Sequence, residues 1–132
     1  MISVALNIWV AVWDRLDRVF QQVTEQVGRR APGMTWMSGH GHTEVFPFRA
    51  YASFNNSDKV VDLSVDCQLA DEYLVISADI AREEGLILAD VPEVRISLQQ
   101  SEAEVNRQID IALTRIEEFF RQQVDLVCEE LT

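Results

Sequence analysis

The spacing of apolar residues changes twice along this chain, and those changes limit the fold more than any other feature. Leu6, Trp9, Val10, Trp13, Leu16, Phe20, Val23 and Val27 recur at helical intervals, with Asp14, Arg15, Asp17, Arg18, Gln21, Gln22 and Glu25 between them. A helix turns once in about 3.6 residues, so this pattern gathers the apolar set on one stripe and the polar set opposite it. Gly28 is placed to cap the helix, and Pro32 with Gly33 to stop its continuation.

The period then drops to two. Phe46, Phe48, Ala50, Ala52 and Phe54 alternate with Val45, Arg49, Tyr51 and Ser53, which predicts a strand with Pro47 near its start. Asn55 to Asp58 reads as a turn. Val61, Leu63, Val65, Cys67 and Leu69 alternate with Asp62, Ser64, Asp66 and Gln68 in a second strand. Ala70 to Glu72 is short enough for a hairpin turn, and Leu74, Ile76, Ala78 and Ile80 define the strand after it. Val94, Ile96 and Leu98 form a last strand, while Leu86 to Leu88 fit a short strand or a buried loop. Each strand has one apolar and one polar face, as in an antiparallel sheet covered on a single side.

The helical period returns after Ser101, which with Glu104 matches a capping box. Val105, Ile109, Ala112, Ile116, Phe119, Phe120, Val127 and Leu131 then predict one long helix to the end of the chain. An α+β fold follows: two long amphipathic helices, N- and C-terminal, packed on one face of a four- to five-stranded antiparallel meander. No repeat, linker or low-complexity tract divides the chain, so residues 1–132 are expected to form a single domain.

Composition removes several functions. Of the 132 residues 48% are hydrophobic and 25% charged, which excludes a disordered or collagen-like chain. The 22 acidic residues outnumber the 11 basic ones, for a formal charge of -11, and such a field repels nucleic acid. The uncharged opening run to Trp13 lacks a basic start and a small-residue cleavage site. It is also shorter than the roughly 20 apolar residues of a membrane span. With two cysteines, Cys67 and Cys128, and no Cys-x-x-Cys, the expectation is a cytoplasmic protein with free thiols and no membrane role.

Both histidines fall in Ser38-Gly39-His40-Gly41-His42-Thr43-Glu44. In an extended chain His40, His42 and Glu44 share a side, a donor set that suits zinc or another divalent metal. The same glycines also suit a mobile turn whose histidines face water. No nucleophile elbow, phosphate loop or zinc-protease helix is present. Cys67 lies on the apolar side of its strand, where a thiol is inert, so no cofactor and no catalysis are indicated.

Two surfaces remain as candidate contacts. Asp62, Asp66 and Asp79 fall on the polar sheet face with Arg49 and Tyr51, and they suit a basic partner, although an ordinary solvated face has the same pattern. Ala31 to Thr43 holds no charge, and Met34, Trp36 and Met37 form either an apolar contact patch or a buried first strand with Trp36 in the core. The expectation is a non-enzymatic protein-binding module. In size, charge and element order it is similar to secretion chaperones and toxin-neutralising immunity proteins, with no motif behind the likeness and no membership claimed. The alternatives are a small metal-binding enzyme or ligand carrier using His40 and His42, and a structural homo-oligomer such as a homodimer. Like charges disfavour stacking two copies of the Asp62/Asp66/Asp79 face unless arginines such as Arg49 interleave.

Overall fold

In a computed structural model of the chain, the backbone is described for residues 2–42 and 47–132, and side chains for 12–41 and 47–132. The order is α1 (Ile2–Arg30), β1 (Thr35–His42), β2 (Phe48–Asn56), β3 (Lys59–Ala70), β4 (Tyr73–Arg82), β5 (Leu86–Ser97), α2 (Glu102–Gln122) and α3 (Val124–Leu131). The sheet is an antiparallel meander in sequence order, so β1 and β5 are its two edges. Two-residue turns join β2 to β3 and β3 to β4, with Ser57 (φ 59°) and Asp71 (φ 57°) in the left-handed region that short hairpins require.

The helices lie on one face. Phe48, Ala50, Ala52 and Phe54 on β2, Val61, Leu63, Val65 and Cys67 on β3, and Leu74, Ile76, Ala78 and Ile80 on β4 all point into the core. Against them pack Leu16, Phe20, Val23 and Val27 of α1 and Ile109, Leu113, Ile116 and Phe120 of α2. The rings of Phe20 and Phe120 sit 5.6 Å apart where the two helices meet. At the outer margin of that contact Arg15 donates to Glu117 Oε1 (2.7 Å), Asp110 Oδ1 (2.6 Å) and Thr114 Oγ1 (3.0 Å). Its planar fork is thereby used on three groups of one neighbouring helix.

Four boundaries depart from the sequence pattern. Gly28 does not cap α1: the helix runs through it, and Met34 folds back over its bare backbone. The chain turns instead at Gly33, whose φ of 91° suits glycine. The predicted C-terminal helix breaks at Gln123 into α2 and α3. Ser101 does accept from the Glu104 N–H (3.2 Å), whereas the Glu104 carboxylate turns to Arg107 and Gln108. The two pieces cover different strands, α2 lying on β5 and α3 on β2 and β3. Asn56 ties the end of α3 to the sheet by donating to the Leu131 carbonyl (2.7 Å).

Leu86 to Leu88 and Val94 to Ile96 are one strand rather than two. β5 continues through Pro92 because it is an edge, where proline's missing N–H costs no ladder bond. Register shifts between Ile76 and Ala78 and between Ile80 and Ala81 mark where its pairing with β4 slips. Finally, Thr35–His42 of the uncharged segment forms an edge strand, β1, so the sheet has five strands among the described residues. Val45 and Phe46, predicted to open β2, lie outside the described residues. Among the described residues no helix is long and apolar enough to cross a membrane.

Candidate functional site

The face of the sheet opposite the helices carries the residues that alternate with the core. Cross-strand register fixes its rows: Arg49 faces Asp66 and Asp66 faces Ser77; Tyr51 faces Ser64, Ser64 faces Asp79 and Asp79 faces Asp90; Ser53 faces Asp62. The three predicted aspartates therefore share one patch, and Asp90 of β5 joins them. Asp90 was missed because residues 82–92 show no clean alternation, so sequence alone gave β5 no register there.

Arg49 is the one cation among the described residues of β2, β3 and β4 on this face. Its Nη2 donates to Ser64 Oγ at 3.1 Å and its Nε lies 3.5 Å from Asp66 Oδ1. Ser64 is buried beneath these groups although it points away from the core. Partial burial raises the Asp79 carboxyl above the usual carboxylate range; Arg49 opposes the rise, and Asp66, Asp90 and Asp62 add to it. The four carboxylates outnumber Arg49 and the one cation of β5 on this face, Arg95, which lies over Tyr73 and 3.7 Å from Glu93, so the patch keeps a net negative potential, suited to steering and holding a cationic surface. Tyr51 leans toward β1 over Gly39, its Oη 3.0 Å from where a β-carbon at that position would stand. A glycine opposite a tyrosine leaves the ring a place to lie across the strand pair.

The predicted apolar patch divides. Trp36 and Met37 are successive strand residues and so point to opposite faces, Trp36 toward the helix side and Met37 toward the open side. They are 48% and 60% exposed. Met34, in the turn before β1, is half-buried against α1. Of the two expectations for this segment, the first strand is observed and the burial of Trp36 is not. Its cross-strand neighbour Phe54 is fully buried, so the helix layer ends between them.

His40 lies on the helix side of β1, with its ring edge-on to Trp13 at a centroid distance of 4.4 Å. The register places His42 opposite Phe48, while its side chain, and all of Glu44, lie outside the described residues. Among the described residues no three His, Cys, Asp or Glu side chains are grouped to hold a metal. Cys67 and Cys128 are buried free thiols, and burial pushes both upward in pKa, away from the reactive thiolate. Arg30 partly offsets the rise at Cys128.

A cleft of about 340 Å³ lies where the end of α1 meets the α2–α3 joint, lined by Arg29, Arg30 and Arg121 among others. Two of those guanidiniums are already engaged, Arg30 with Asp125 and Arg121 with Gln22 (3.1 Å) and Glu117 (3.6 Å). Comparison with protein-family models, with curated proteins and with solved structures finds no match to this chain.

Proposed function

We propose that this chain is a non-enzymatic protein-binding module that holds a basic partner against its open, acidic sheet face, in the manner of a small chaperone or a toxin-neutralising protein. The observation that carries the reading is the row geometry: Asp62, Asp66, Asp79 and Asp90 occupy adjoining strands on the face opposite the helices, with Arg49 set between them and Arg95 further along β5. Carboxylates held this way on rigid strands keep their spacing without a partner, so a cationic surface meets a preorganised potential. The buried thiols of Cys67 and Cys128 fit a reducing, cytoplasmic setting for that role.

The test is a native pull-down from the source cell with two baits, the wild-type chain and Asp62→Lys combined with Asp66→Lys. A stoichiometric basic protein that is retained by the wild type, eluted by salt and lost from the variant supports the reading. Identical capture by both baits would remove the open face from any role in binding.

A further inference from the structure

The ends of three helices meet at one place in the helix layer, and the cleft there gathers a charge that the chain as a whole lacks. Of the 11 basic residues in a chain of formal charge -11, Arg29, Arg30 and Arg121 line this single cleft of about 340 Å³. A basic residue in the last turn of a helix is ordinary, because it faces the negative end of the helix dipole. Here, however, the last turns of α1 and α2 border the same space, and the break at Gln123 starts α3 beside them.

The guanidiniums are only partly used, although each carries five N–H donors. Arg29 makes no hydrogen bond or ion pair among the described residues, even with Glu25 one helical turn before it. Arg30 gives one N–H to Asp125, and Arg121 gives one to Gln22. Glu117 stands 3.6 Å from Arg121, but its carboxylate already accepts from Arg15 at 2.7 Å. Within the lining, three guanidiniums therefore face one carboxylate, Asp125, whose side chain is 80% exposed. The side-chain amides of Gln26 and Gln122 complete the polar wall and make no hydrogen bond among the described residues.

We propose that this cleft binds a small phosphate monoester, its phosphoryl group held by Arg29, Arg30 and Arg121 and its organic part lying against Gln26 and Gln122. Charge selects the phosphoryl group. A monoester carries roughly two negative charges at neutral pH, matching the excess of guanidinium over carboxylate in the lining, whereas a single carboxylate leaves one cation unanswered. Shape agrees: a planar guanidinium fork takes two phosphate oxygens side by side, and three forks offer more donors than the two oxygens of a carboxylate can accept. Size supplies the organic part, since a cleft of this volume falls within the range that holds small ligands and a bare phosphate ion fills only a fraction of it. The field of the -11 chain around the cleft disfavours a nucleic-acid strand. Asp125 is the ligand's competitor: its exposed carboxylate holds Arg30 in an ion pair that water weakens, so a doubly charged ligand displaces it at little cost. The cleft lies in the helix layer and not on the open acidic face, which makes the proposal independent of the basic-partner reading.

The test is a proton–nitrogen NMR titration of the full chain with ribose 5-phosphate, inorganic phosphate, acetate and ribose at constant ionic strength. Saturable shifts centred on residues 26–30 and 121–125 are expected for the two phosphates, tighter for ribose 5-phosphate, with a dissociation constant on the order of 0.1–1 mM for so open a site. Acetate should bind about tenfold more weakly than inorganic phosphate, and ribose should shift nothing. Arg29→Ala should weaken ribose 5-phosphate binding about fivefold or more while the rest of the spectrum is unchanged, since that side chain has no partner to lose. Arg107→Ala removes the same charge from an exposed site outside the cleft and should leave binding as it was. Asp125→Asn should tighten binding severalfold by releasing Arg30. No saturable shift up to about 20 mM, or equal weakening by Arg29→Ala and Arg107→Ala, overturns the site. Acetate binding as tightly as inorganic phosphate overturns the phosphoryl assignment, and inorganic phosphate binding as tightly as ribose 5-phosphate overturns the monoester.

Discussion

β1 and β5 hold equivalent places at the two margins of one sheet, yet they are built on opposite principles. β5 is twelve residues long and is covered on its inner side by α2, so Ile96 is only 1% exposed. Its outer side is crowded with proline, charge and irregular register. β1 is shorter, and its equivalent inward residue, Trp36, is 48% exposed. The difference teaches that an edge strand is stabilised and guarded separately. Helix cover decides how much a residue contributes to folding, while proline and charge decide what can pair with the strand from outside.

The comparison breaks first, and by the largest amount, at the inward residues. Ile96→Ala removes a fully buried branched side chain beneath α2, and should cost about 2–5 kcal/mol in chemical denaturation, the range for such truncations where the core cannot collapse. A loss well below about 1 kcal/mol would mean that α2 contributes no cover to this edge. On the outer side, Pro92→Val restores the missing donor while leaving the core intact. Its expected effect on stability is within about 1 kcal/mol. The mean mass in light scattering, however, should rise above that of the wild type at the same concentration. An unchanged mass would assign the guarding of β5 to Asp90, Glu93 and the register breaks alone.

Most of the covered layer was legible in the sequence, and the reasons are local. Strict alternation in β3 and β4 reports a face that is buried by whatever packs there, and the 3–4 spacing of α1 does the same for a helix stripe. What escaped depends on tertiary choice. No proline or glycine marks the break at Gln123, and the apolar spacing from Phe120 to Val124 continues unbroken across it. The break exists because α3 has to reach β2 and β3 while α2 stays over β5. Likewise β5 reads badly because edge strands shed their alternation at bulges, and with its register went Asp90. Trp36 is ambiguous for the opposite reason: alternation puts it on the inner face, and only the position of the helix layer shows that this end of the face is bare. The Asp62, Asp66 and Asp79 grouping was legible because those strands are joined by short turns that leave their register little freedom.

A smaller effect is expected where the guarded edge meets the open face. Asp79 and Asp90 face one another directly across β4 and β5, and the Asp79 carboxyl sits above its ordinary pKa, chiefly through burial. A carboxyl raised in the folded state makes no difference below its unfolded value, where both states are protonated. It destabilises the fold as pH rises through the raised value, because the unfolded chain ionises more readily. Asp79→Asn should therefore stabilise the protein at pH 7 by under about 1 kcal/mol, given that the site is partly open to solvent. The gain should shrink to nothing as pH is lowered below the unfolded carboxylate range. Thermal melts of both proteins from pH 3 to pH 8 read it directly; a gain that persists at pH 3 would point to packing and not to charge.

The smallest expected change in stability is at Trp36, and it sharpens the contrast most. Half of that ring is already in water, so Trp36→Ala forfeits little on unfolding and should cost less than about 1 kcal/mol, despite removing a larger side chain than Ile96→Ala does. Chemical denaturation of Trp36→Ala and Ile96→Ala side by side reads the difference. If instead Trp36→Ala costs as much stability as Ile96→Ala, the ring is a core residue, β1 is covered like β5, and the difference between the two edges reduces to proline and charge.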